Sequence, residues 1–136
     1  MAAIDPKELT DRWKGTLGET LGIRITEAAP ERVVGELDVK PELMTIGGIL
    51  HGGTMMAFAD TIGAVAAFIN LPPGAGTTTL ESKTNFFSGC KSGVVRAEAT
   101  PLHRGKRTSV WQTKLTDENG RMLTLTIQTQ MVLLPQ

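Results

Sequence analysis

The run Gly48-Ile49-Leu50-His51-Gly52-Gly53-Thr54-Met55-Met56-Ala57-Phe58-Ala59-Asp60 places one carboxylate in a stretch that is otherwise almost entirely apolar. Burying a charge without a partner is expensive, so Asp60 either holds a structural hydrogen bond in the core or does chemistry there. Deprotonating a water and attacking a carbonyl are the two reactions open to it. His51, nine residues earlier, is either a second base or an N-cap-region residue that shapes the loop. The second is favoured, because no acid stands where it would orient the imidazole. Glu81 is a rival carboxylate, but its place in a mixed polar strand suits a solvated residue. The other histidine, His103, and the lone Cys90 form no C-x-x-C, H-x-x-x-H or H-x-H cluster, so no metal is expected. No cofactor is expected either.

The elements that must position these groups follow from periodicity and punctuation. Asp5-Pro6-Lys7-Glu8 combines an N-cap acid, a proline at the first helical position and a glutamate three residues after the cap. Leu9, Trp13, Leu17 and Leu21 continue at four-residue spacing, which predicts a short helix over about 5–17 that Gly15, Gly18 and Gly22 cut short. Val33 to Val39 alternates like a half-buried strand. A glycine-bearing loop from Met44 to Gly53 then leads into an alanine-rich helix over about 52–71, closed by Pro72-Pro73-Gly74.

From Gly76 onward the chain reads as almost continuous strand: 77–87, 93–102, 108–116 and 122–134. Asp117-Glu118-Asn119-Gly120 is a hairpin turn by its Asn-Gly pair. In the last strand Leu123, Leu125, Ile127, Thr129, Met131 and Leu133 alternate with Thr124, Thr126, Gln128 and Gln130. One face packs and the other meets solvent or a partner, as in an antiparallel sheet. Helices followed by a run of antiparallel strands indicate an α+β domain, expected to span 1–136 as a single unit. A main helix apolar nearly all round must be covered on nearly all sides, which a sheet curled about it would do.

The chain has 136 residues, and fourteen basic residues balance fourteen acidic ones. Nothing in that balance suggests a nucleic-acid or anionic-membrane partner. The segment 53–71 is the only one that could be taken for a membrane span, yet it carries Asp60 and Gly63, so a buried core helix is expected. One cysteine cannot form an internal disulfide, and MAAIDPKELTDRW has neither a basic n-region nor an apolar h-region. A reducing, cytoplasmic setting is expected.

With this element order, Gly48-x-x-His51-Gly52-Gly53 and an acid eight residues after the first glycine of the pair, the chain resembles the hotdog-fold acyl-CoA thioesterases of the phenylacetate-degradation (PaaI-like) group. The resemblance runs from about Leu17 onward. It implies an acyl-CoA or aryl-acyl-CoA substrate and a hotdog fold, a curled antiparallel sheet around one long helix. It also implies that Asp60 is the catalytic carboxylate, that the Gly52 amide forms the oxyanion hole, and that Thr79 holds the attacking water or the carboxylate. Relatives often carry an asparagine six residues before the histidine; this chain has Thr45, which is shorter and offers no amide. Thr45, Gly53 and Met56 are expected to touch the acyl group.

Thioester hydrolysis asks little else of the protein. A thiol with a pKa near about 8.5 leaves without a strong acid behind it. The first N–H groups of a helix lack internal partners and sit at the positive end of its dipole, which suits the Gly52 amide to an oxyanion. Yet eight residues of helix separate Gly52 from Asp60 by roughly 12 Å along the axis. The two groups of one chain therefore cannot serve one carbonyl. If both act, they come from different subunits of a two-fold dimer, as the resemblance also implies, and the assembly is expected to be that homodimer or a dimer of dimers, a homotetramer. His103-Arg104-Gly105-Lys106-Arg107 is the one basic cluster, and Arg104, Lys106 and Arg107 are candidates for the phosphates of coenzyme A, against the plain alternative of a charged hairpin tip. Two rival readings are a non-catalytic acyl-CoA-binding or scaffold protein on the same fold and a hotdog hydratase or dehydratase, whose chemistry wants a histidine and an acid converging on one carbon.

Overall fold

The computed structural model of the chain describes residues 4–136; Met1, Ala2 and Ala3, where the single-domain expectation and the search for a leader both begin, lie outside the described residues. Six strands form one antiparallel sheet: β1 (Arg24–Ala29), β2 (Arg32–Asp38), β3 (Gly76–Phe86), β4 (Val94–Arg104), β5 (Thr108–Thr116) and β6 (Met122–Leu133). Their spatial order is β1-β2-β4-β5-β6-β3. Two short helices, α1 (Pro6–Asp11) and α2 (Leu17–Leu21), precede β1, and α3 (Gly52–Phe68) lies across the face of β2 to β6. The fold is the expected hotdog α+β arrangement. No helix among the described residues is long and apolar enough to cross a membrane.

The N-terminal helix is shorter than the 5–17 that spacing predicts. Asp5 Oδ1 caps it by accepting from Lys7 N–H at 2.9 Å, but the chain leaves the helix after Asp11 and passes through Gly15 at φ +78°. The four-residue series thus spans two helices: Leu9 and Leu21 are buried while Leu17 is exposed. The main helix also stops short of 71. Ile69 caps it, the Asn70 amide donates to the carbonyls of Ala66 and Pro30, and Pro72 restricts the residue before it to extended backbone.

The sheet does not cover α3 on nearly all sides. Phe58, Ala59, Ile62, Gly63, Ala66 and Ala67 are buried against it, while a stripe through Met56, Asp60, Thr61, Ala64, Val65 and Phe68 stays half-buried or exposed. Residues three and four apart share a helix face, so Asp60 lies on this stripe. α1 and the turn after it shield only part of it.

The last strand turns its faces opposite to what hydropathy suggests. Thr124, Thr126, Gln128 and Gln130 point toward α3 and are buried, whereas Met131 and Leu133 on the other face are exposed and Leu125 and Ile127 half-buried. Periodicity fixes that two faces alternate. Which face meets the helix is decided by partners on α3 and β3, described next.

Candidate active site

Asp60 is gripped at one oxygen. Thr79 Oγ1 donates to Asp60 Oδ1 at 3.3 Å, and Gln128 Nε2 donates to the same oxygen at 3.2 Å while lying 3.4 Å from the Asp60 carbonyl. Behind Thr79, Gln130 Nε2 donates to Thr79 Oγ1 at 2.6 Å, and Thr77 Oγ1 lies 2.9 Å from Gln130 Oε1. None of the described residues donates to Oδ2. β3 presents these groups through a bulge: the register shifts between Thr79 and Glu81, so Thr79 stands opposite Gln130 and Ser82 opposite Gln128. Glu81 is exposed, as a solvated residue should be.

Room for Gln128 comes from a glycine in mid-helix. A Cβ at Gly63 would lie 1.9 Å from Gln128 Oε1. Gln128 is only 1% exposed and held by Asp60, so it has nowhere to retreat. Gly63→Ala is therefore expected to destabilise the protein by about 1 to 3 kcal/mol through overpacking, more than the under about 1 kcal/mol that alanine gains in helix propensity. A lower midpoint in urea unfolding checks this.

Asp60 lines a cavity of about 430 Å³, walled also by Leu9, Trp13, Ala64, Val65 and Phe68. Arg12 reaches over its rim with the guanidinium 5.6 Å from the Phe68 ring centre. Trp13 forms part of this wall, whereas Trp111 is fully buried and donates to Ser109 Oγ at 2.9 Å. Met56 lies one turn before Asp60 on the open stripe and is 41% exposed.

The other group is at the start of α3. His51 Nδ1 accepts from Gly53 N–H at 2.7 Å, which makes the imidazole the N-cap of the helix and occupies its lone pair. A Cβ at Gly53 would come within 2.9 Å of that nitrogen, so the second glycine of the pair is required by the cap. The Gly52 N–H, first of the helix, donates to no group among the described residues. It opens onto a separate cavity of about 320 Å³ walled by Thr45, Ile49, Phe86 and Phe87. Thr45 Oγ1 is occupied in the loop, accepting from Gly47 N–H at 3.2 Å.

Of the predicted residues, the structure joins Asp60 to Thr79 by a hydrogen bond, sets Gly52 and Thr45 on one cavity, and ties His51 to Gly53 in the cap of α3. The basic cluster lines neither cavity and sits at the β4–β5 tip. Arg104 is tied to Glu31 at 3.4 Å, to Asn70 Oδ1 at 3.4 Å and to the Pro30 carbonyl at 3.3 Å, while Lys106 and Arg107 are exposed. Sequence reasoning missed Gln128 and Gln130, which hydropathy sends outward, and Arg12, Trp13 and Phe68, which meet only in three dimensions. A glycine at position 63 of an otherwise unbroken helix was the available signal for a close neighbour.

The six-stranded sheet and its one long helix match those of known proteins. The Thioesterase superfamily model matches residues 47–124. The 1,4-dihydroxy-2-naphthoyl-CoA hydrolase of Listeria monocytogenes is 33% identical over 107 residues, covering 79% of this chain and 87% of that protein. The proofreading thioesterase EntH of Cronobacter turicensis is 31% identical over 107 residues, covering 79% and 78%. The crystal structure of a Haemophilus influenzae thioesterase superposes with a TM-score of 0.93 at 27% identity, covering 97% and 92%. The chain belongs to the thioesterase superfamily, and it is a thioester hydrolase of the hotdog fold.

Proposed function

We propose that the protein hydrolyses an acyl-CoA or aryl-acyl-CoA thioester in a site shared between two subunits, with Asp60 as base or nucleophile and the Gly52 amide as oxyanion donor. The observation that carries this is the placing of the two groups in separate cavities at opposite ends of one edge strand. β3 is the last strand in the sheet, so its outer edge offers unpaired backbone N–H and C=O groups along Gly76–Phe86. Its early residues Thr77 and Thr79 belong with Asp60, and its end residue Phe86 lies over Gly52, 3.2 Å from a Cβ built there. Antiparallel pairing of two such edges about a two-fold axis sets the early half of one β3 beside the late half of the other. Asp60 of one subunit then meets Gly52 of the other, twice per dimer. Leu80, Phe86 and Phe87, all about half exposed, lie along this edge.

The cavity beside Asp60 suits the acyl group. Trp13 and Phe68 give it flat apolar walls, and its volume accommodates an aryl or medium-length chain. Lys106 and Arg107 take the phosphates of coenzyme A: the Arg107 carbonyl accepts from Val132 N–H at 2.8 Å, and Val132 pairs with Thr77 at the mouth of the Asp60 cavity. The outward apolar residues Leu125, Ile127, Met131 and Leu133 pair dimers into a tetramer. The lone, buried Cys90 fits a reducing cytoplasmic setting.

A free-thiol assay over aryl-CoA and straight-chain acyl-CoA substrates tests the activity, with sedimentation run alongside. Turnover of aryl or medium-chain substrates by a species no smaller than a dimer is expected. Silence across the panel, with coenzyme A still bound, would instead favour a binding or scaffold role.

A further inference from the structure

We propose that Gln128, together with the Thr79–Gln130 pair, clamps Oδ1 of Asp60 so that Oδ2 alone faces the cavity as the reacting oxygen. The inference rests on Asp60 being the catalytic carboxylate and assigns positioning roles to two residues of β6. The buried face of β6 is polar at Thr124, Thr126, Gln128 and Gln130, with the glutamines each 1% exposed. Burying amide side chains under a helix costs stability, and Gln128 Oε1 finds no partner among the described residues, so packing alone would favour apolar residues here.

The chain supplies a matching feature on the other element. Gly63, one turn after Asp60, leaves the space that Gln128 fills. Two positions on different elements are thus fitted to bring one amide to one carboxylate.

The donors have a fixed sense. Gln128 Nε2 lies between the Asp60 carbonyl at 3.4 Å and Oδ1 at 3.2 Å, and turning the amide over would set its oxygen against two acceptors. Thr79 Oγ1 already receives Gln130 Nε2 at 2.6 Å, so the single hydroxyl hydrogen of Thr79 goes to Asp60 Oδ1. Two donors from two strands converge on one oxygen. They fix the rotation of the carboxylate and leave the other oxygen to the water or the carbonyl carbon. Holding a reacting atom in its attack geometry is a large part of catalysis, and a hydrogen bond to a charged group is worth about tenfold in an equilibrium.

The test is a double-mutant cycle on the intact protein. Gln128→Met keeps the length of the side chain and removes the donor. It is expected to lower kcat about tenfold with KM within about twofold, and to lower it less than about twofold further when added to Asp60→Asn. Thr79→Val is expected to behave alike, with Thr79→Ser restoring activity; this pair carries the test if Gln128→Met fails to fold. An unchanged kcat in both Gln128→Met and Thr79→Val overturns the clamp, as do equal losses in the native and Asp60→Asn backgrounds, which mark a merely structural role. Full turnover by Asp60→Asn alone would instead remove the catalytic assignment on which the clamp rests.

Discussion

Asp60→Asn is expected to lower thiol release from acyl-CoA by about two to four orders of magnitude, the range a positioned acid or base contributes. The substitution is nearly isosteric. Asn keeps an Oδ1 to accept from Thr79 and Gln128, so the two contacts at 3.3 and 3.2 Å survive and the helix keeps its place on the sheet. What disappears is the second carboxylate oxygen and the negative charge, and with them the base or nucleophile. The melting temperature is therefore expected to move by no more than a few degrees, about what a change near 1 kcal/mol produces in a domain of this size. Thermal unfolding measured beside the thiol assay separates a chemical loss from a structural one. Undiminished turnover in a folded Asp60→Asn protein would sink the assignment of this carboxylate.

Gly52→Pro should be nearly as damaging, for a reason specific to its place in the chain. Gly52 is the first residue of α3, where proline is well tolerated because the N–H it lacks makes no intrahelical bond. His51 before it is already extended at φ −65° and ψ 135°, as a residue preceding proline prefers. The substitution therefore deletes the proposed oxyanion donor and little else, provided the exposed Phe86 ring yields a few tenths of an ångström. A loss of about a hundred- to a thousandfold in kcat is expected.

Combining the two variants distinguishes a shared site from a private one. If Asp60 of one subunit works with Gly52 of the other, a mixed dimer holds one site with both defects and one site with neither. An equal mixture, unfolded and refolded together, puts half the molecules in mixed dimers and is expected to recover about a quarter of native activity. If each site used Asp60 and Gly52 of a single chain, every site in the mixture would carry a defect and no activity would return. Recovery far below a quarter, with mixed dimers confirmed by mass, would overturn the composite site.

Local features of the sequence were enough to find much of this. His51-Gly52-Gly53 and Asp60 declare themselves by type and spacing, because helix capping and the absence of Cβ act between near neighbours: the imidazole reaches the Gly53 amide only because Gly53 has no side chain to block it. The separation of Gly52 from Asp60 also follows from sequence, since it depends only on the rise of a helix. The strand boundaries follow period and punctuation for the same reason. The N-terminal helix went wrong where a spacing rule ignored Gly15 at positive φ.

What tertiary structure alone decided is which side of each element faces which neighbour. The alternation of β6 is plain in sequence, but the burial of its polar face depends on Gly63 and Asp60 of α3 and on the bulge in β3, all distant along the chain. The wall of the cavity beside Asp60 is another such case, formed where Leu9 and Trp13 cover the open stripe of α3. Hydropathy sums over a residue's average surroundings, whereas a buried glutamine is stabilised by one particular carboxylate. The sequence by itself therefore determined the main helix and the strands β2 to β6, the carboxylate, the bare amide and the distance between them, but not β1 or the break between α1 and α2. Beyond Thr79, which the resemblance already put beside the carboxylate, only the folded chain decided what holds Asp60, because hydrogen bonds depend on direction and contact, which periodicity does not encode.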